Sequence, residues 1–184
     1  SAAHIAGLAS GTLTPLDIQP GPGLAYCLGD GSGTQCPCAN NNDGSVPNSG
    51  CANGAFASGA RLTASGIPSV SADTLVLSAT GLDPSNSGLY FQADNDLSPG
   101  NVWGDGLQCA GGQLKRLGVR FADATGASDT SAWTTPISVK AGNVVAGDTK
   151  RYQLWYRDNS GGQPCGPGVN DFNATNGYEI VWLP

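Results

Sequence analysis

The chain has 184 residues, 28 glycines, 12 prolines, 12% charged residues and a formal net charge of −6. One Glu and three Lys cannot furnish long amphipathic helices, which excludes a helical bundle. Eight scattered basic residues against fourteen acids exclude a broad cationic face for nucleic acid or an anionic membrane, and no apolar run approaches the roughly 18 residues that cross a bilayer.

In chain order, residues 1–26 read as an N-terminal arm and 27–184 as one β-domain. Within the arm, Leu13, Leu16 and Ile18 give Thr12–Ile18 partial strand character, with Pro15 suited to an edge. Pro20-Gly21-Pro22-Gly23 reads as a spacer. The chain has no Met, and no charged, apolar leader precedes Ser1, so a mature product of signal-peptide cleavage is expected.

Four cysteines follow within 25 residues, at 27, 36, 38 and 51, and two more stand at 109 and 165. Zinc would want paired knuckles or histidine partners, but the spacing is wrong and the one histidine, His4, lies in the arm. A redox motif needs C-x-x-C opening a helix, and Cys36-Pro37-Cys38 is one residue short. Disulfides remain. Among the many pairings that six cysteines permit, the expected set is Cys27–Cys36, Cys38–Cys51 and Cys109–Cys165, which staples an N-terminal loop otherwise too polar to order by burial.

Alternating apolar positions mark strands at Thr74–Thr80, Gly88–Ala93, Gln113–Phe121, Trp133–Val139, Arg151–Arg157 and Tyr178–Leu183, with weaker ones at Arg61–Ala64 and Val102–Cys109. Thirteen Asp to one Glu places most negative charge in turns, where Asp bonds back to its own backbone. Short strands between Gly, Asp and Pro turns predict an all-β fold, a two-layer antiparallel β-sandwich of jelly-roll type. Trp155 and Trp182, in strands apolar on both faces, read as core; Trp103 and Trp133, beside loops, are candidates for an exposed ligand-binding platform.

Catalysis is not expected, because a hydrolase triad needs a histidine base and the acids read as turn formers. Asp94, Asp96, Ser98 and Asp105 place oxygens at positions 1, 3, 5 and 12 of a calcium-loop window. Pro99 stands where that loop needs Gly, an Asp closes it in place of Glu, and solvated turns explain the same residues. Asn173-Ala174-Thr175 is a glycosylation sequon with Asn173 as acceptor.

The string Cys27-Leu28-Gly29-Asp30-Gly31-Ser32-Gly33-Thr34-Gln35-Cys36-Pro37-Cys38-Ala39-Asn40 is followed by Gly50-Cys51-Ala52-Asn53, Gly104-Asp105-Gly106-Leu107-Gln108-Cys109 and Tyr152-Gln153-Leu154-Trp155-Tyr156-Arg157-Asp158. Together these motifs resemble a family of uncharacterised secreted domains of environmental bacteria, over Cys27 to Pro184. The resemblance implies export and a shared disulfide framework, and no activity. The expectation is a secreted, non-catalytic structural protein at the cell surface or beyond it. Copies would join through the arm by strand addition into a filament or surface assembly. The alternative is a calcium-assisted, glycan-binding adhesion module using Trp103 or Trp133.

Overall fold

The computed structural model describes residues 21–159, 165 and 171–184. His4 and the arm residues Leu13, Leu16 and Ile18 lie outside them. The main sheet runs in the order β1 (Gly23–Tyr26), β11 (Gly177–Val181), β9 (Thr149–Arg157), β4 (Ser87–Ala93), β7 (Lys115–Phe121), and β10 (Phe172–Ala174) pairs with β9. A smaller sheet, β2 (Arg61–Ser65), β3 (Val76–Thr80) and β8 (Ser128–Asp129), and a hairpin of β5 (Asn95–Trp103) with β6 (Gly106–Gly111) complete the fold. Every strand pair is antiparallel, and the protein is all-β, as its turn-rich composition implies.

The core lies between the two sheets. Leu62, Ala64, Leu77 and Ala79 alternate inward from β2 and β3, against Tyr90, Tyr152, Leu154, Tyr156, Tyr178, Ile180 and Trp182. Each fully buried Leu or Ile contributes about 2 kcal/mol by leaving water. The buried hydroxyls are paired, so burial leaves no orphan: Tyr152 Oη donates to Gln92 Oε1 at 2.7 Å and accepts from Trp182 Nε1 at 2.9 Å.

On the other face of the main sheet lies the hairpin, to which a buried amide of β9 is bonded. Gln153 Nε2 donates to the carbonyls of Leu107 at 2.8 Å and Thr175 at 2.7 Å, and its Oε1 accepts from the Cys109 N–H at 3.0 Å. The turn between the hairpin strands needs Gly104, with φ +64° and a Cβ position that falls within the Phe172 ring.

Several expectations are corrected. Residues 23–26 of the arm form β1, an integral edge strand whose Gly23 pairs with Ile180. Trp133–Val139 is no strand: Pro136 caps the short helix α1 (Ile137–Ala141), which Gly142 closes in the left-handed conformation. Trp182 is core, but Trp155 is half-buried on the hairpin side. The faces of β7 are also scrambled, because a bulge between Tyr90 and Phe91 leaves Leu117 unpaired and turned into the core.

All six cysteines are bonded, as expected, yet none of the three expected pairs forms. The bonds are Cys27–Cys109, Cys36–Cys51 and Cys38–Cys165. Pairing each cysteine with a neighbour in sequence treats the loop as self-contained, whereas this loop lies against the rest of the fold. Cys27 follows β1, whose Tyr26 Oη donates to the Cys109 carbonyl at 3.1 Å, and Thr34 Oγ1 donates to the Gly100 carbonyl at 2.7 Å. With no free thiol, the protein bears the mark of an oxidising, extracellular type of environment. No helix of the described residues is long and apolar enough to cross a membrane.

Candidate functional site

The hairpin covers only part of the main sheet's outer face. Strand register assigns what remains. Leu89 pairs with Val119 on one side and Trp155 on the other, and Trp155 pairs with Ala174, so these four form one row across β7, β4, β9 and β10. Phe121 pairs with Ser87 in the next row, and the Gly88–Tyr156 pair places Arg157 beyond Ser87, opposite Phe172. Val119 is 56% exposed and Phe121 70% exposed. In a β-domain with a closed core these are the two apolar side chains of a strand that has turned outward.

Aromatic contacts anchor the inner end of this strip. Trp103 meets Phe91 and Phe172 edge-on, with ring centroids 6.1 and 5.6 Å apart, and Trp155 lies 5.6 Å from Phe172. The Arg157 guanidinium sits 5.1 Å above the Trp155 ring. The strip thus grades from fixed rings near the hairpin to freely exposed side chains at the β7 edge.

The same edge gathers cations that look scattered in sequence. Lys115, Arg116 and Arg120 lie on β7, and Lys140 reaches from α1 to the Leu117 carbonyl at 3.4 Å. Register puts Arg116, opposite Phe91, and Arg157 on the face of the strip, while Lys115, Arg120 and Lys140 belong to the same edge on its core-facing side, with Asp123 and Asp129 near Arg120. Beside Phe121 is a shallow depression of about 300 Å³ lined by Arg120, Asp123, Ser128 and Asp129. Such a surface can take up a partner by apolar burial with a charged rim.

The other site residues read from the sequence are not brought together. Asp94, Asp96, Ser98 and Asp105 do not line a loop: most of their window is β5, with Asp96 opposite Ala110 at one end of the hairpin and Asp105 in the turn at the other. Asp94 is already paired with the Lys150 ammonium at 2.9 Å, and Asp96 accepts from the Ser98 N–H. Among the described residues no group of three or more His, Cys, Asp or Glu is placed to hold a metal ion. Trp103 and Trp133 stand on opposite sides of β4, the first against Phe91 and the second edge-on to core Tyr90 at 5.9 Å with Lys140 over its ring. Asn173 is fully buried, its amide donating to the Ala52 carbonyl at 3.0 Å, so the folded chain offers no glycan acceptor there.

Turn-forming Asp residues behave as the composition implies. Asp30, Asp43, Asp123 and Asp129 each accept from the hydroxyl and N–H of a Ser or Thr two residues on. Those bonds hold their carboxyls below the usual carboxylate range. Asp105 is the exception. It is fully buried with neither carboxylate oxygen hydrogen-bonded. Burial first, then the nearby Asp158 carboxylate, pushes it up to about 6, and the Cys165 N–H opposes this without reaching hydrogen-bond geometry.

Sequence reasoning overlooked the outer strip, since Val119 and Phe121 are ordinary strand residues until register sets them beside Leu89 and Trp155. The one available signal was three cations and no acid in seven residues of β7. Comparison with protein-family models, characterised proteins and solved structures found no match to this chain.

Proposed function

We propose that the protein is a secreted, non-catalytic structural domain that assembles with copies of itself into a filament or surface layer outside the cell. The observation that carries this reading is the open strip of Phe121, Val119, Leu89 and Trp155 on an otherwise hairpin-covered sheet face. Rigid anchoring behind an exposed apolar edge suits a permanent contact, because little side-chain entropy is lost on docking. The arm joins the body at β1, the edge strand next to β11, and in this reading its earlier residues contribute a second contact to the assembly.

Electron microscopy of natively secreted material, with light scattering of the purified full chain over a wide concentration range, tests the proposal. Ordered multimers are the expected result. A chain that stays monomeric at every concentration, arm included, overturns it.

A further inference from the structure

Independently of how copies assemble, we propose that the chain binds a calcium ion where the cysteine-rich loop meets the turn between β5 and β6. The Asp105 carboxylate and the Asn40 side-chain oxygen hold it, and the charge of Asp158 supports them. Asp105 is fully buried, and among the described residues neither of its carboxylate oxygens has a hydrogen-bond partner. Asn40 is 6% exposed, and its Oδ1 is likewise buried without a partner. Turning the amide over offers no remedy, because Nδ2 already serves two carbonyls, that of Ala52 at 2.8 Å and that of Asp105 itself at 2.7 Å.

Backbone bonds bring further negative charge to these bare oxygens. The Asp105 N–H donates to the Phe172 carbonyl at 2.9 Å and the Asp158 N–H to the Asp171 carbonyl at 3.1 Å, so both acids flank the start of β10. Side chains close the same group: Asn173 Nδ2 shares the Ala52 carbonyl with Asn40 and reaches Asp158 Oδ2 at 3.5 Å. Asp158 is itself fully buried, its Oδ1 accepting from the Gly54 N–H at 2.9 Å. The charges acting on Asp105 are those of Asp158 and then Asp171, both negative, and no Lys or Arg of the described residues forms an ion pair with it. A buried carboxylate in such company calls for a cation.

The donors choose the ion. Oxygen alone favours a hard cation, and an irregular set of carboxylate, amide and water oxygens suits calcium, which accepts about six to eight ligands in flexible geometry, better than magnesium, which demands a near-ideal octahedron. A third acid is not required, in keeping with the lack of a three-acid group among the described residues. The Asp94–Asp105 window contributes only its last residue, and the partners come from the cysteine-rich loop and the end of β9. Bound there, the ion ties the polar region to the hairpin turn, two residues along from Cys38 and its bridge to Cys165. In calcium-free solution a proton takes its place, and the pH dependence of Asp105 belongs to that state.

The test is calorimetric titration of the chelator-treated full chain with calcium chloride near neutral pH, paired with thermal melts. One calcium per chain is expected, with a Kd of about 10⁻⁴ M, the range of extracellular calcium modules. Calcium at about 10 mM should then raise the melting temperature by about 5 °C or more, and magnesium by far less. Asp105→Asn keeps the side chain's shape and should bind calcium at least about tenfold more weakly. It should melt above wild type in chelator and lose that advantage in calcium, a pattern that a general folding defect does not produce. Asp96→Asn, within the sequence window but outside this site, should bind as wild type does. If wild type shows neither heat nor a melting shift, the proposal is overturned and Asp105 is left to a proton alone. Calcium binding that survives in Asp105→Asn, or that Asp96→Asn abolishes equally, also overturns it and places the ion elsewhere.

Discussion

Two regions of this molecule are ordered by different means. Between the sheets, Leu62, Leu77, Leu154, Ile180 and Trp182 bury hydrocarbon. From Cys27 to Gly59 the only buried apolar side chains are Cys36 and Cys51, and order comes from amides and sulfur. Asn40 Nδ2 bonds the carbonyls of Ala52 and Asp105, Asn42 Nδ2 those of Ser49 and Gly50, and Asn53 Nδ2 that of Gly81 and the Tyr156 hydroxyl. A segment without a core of its own becomes rigid by filling its backbone's hydrogen-bonding needs with side-chain amides, while disulfides to β6 and to Cys165 limit its freedom when unfolded.

The sharpest way to break this contrast is to cut the disulfide that ties the polar region to β6. Replacing Cys27 and Cys109 with Ser should cost about 4 kcal/mol by chain-entropy arithmetic. Hydrogen exchange should show protection lost first from residues 27–59. A uniform loss across β3 and β9 would mean the two regions are one cooperative unit. Leu77→Ala should cost about 3 kcal/mol through the cavity it leaves, read as a lower urea midpoint with protection falling everywhere. Asn176→Ala attacks the seam, since its amide accepts from the Leu62 N–H at 2.7 Å and donates to the carbonyls of Leu62 and Gly177; about 2 kcal/mol should be lost.

Asp105 supplies a pH test. Its carboxyl titrates at about 6 in the folded chain, above the ordinary value of 3.8, so the folded state holds the proton more tightly than the unfolded one. This group's contribution to stability is therefore intact below about pH 4, declines as pH rises through about 6, and stays lost above. In thermal melts Asp105→Asn should gain on wild type by between about 1 and 2 kcal/mol from pH 4 to pH 7.5; a constant difference would show that the carboxyl ionises normally. The smallest effect is expected at Phe121→Ser, within about 0.5 kcal/mol of wild type in stability, because that side chain faces solvent.

The same contrast explains what was legible in the sequence. Strand β3 was readable because one buried face imposes a two-residue period, with Leu75, Leu77 and Ala79 all inside, while β4 and β9, buried on both faces, were readable as short apolar runs between turns. The polar region has no such period, and its disulfide pairing depends on where the loop lies against β5 and β6, which cysteine spacing does not encode. The oxygen-rich run from Asp94 to Asp105 resembled a loop until pairing with β6 drew it out as a strand. Pro136 was visible in Trp133–Val139, and weighing it above the apolar alternation would have removed that strand. The outer strip depends on a bulge and on register across four strands, neither of which a local window contains.

The bond at Cys27 also determines how this domain would respond to tension. Gly23 lies beside Ile180 in an antiparallel pair, so force drawn through the N-terminal side peels β1 from β11 one rung at a time, a weak geometry. Peeling stops after four residues, where Cys27 passes the load across to β6. Within a strand of linked subunits, each copy would lengthen by little more than one nanometre and then become stiff, with the body behind the sulfur bridge spared.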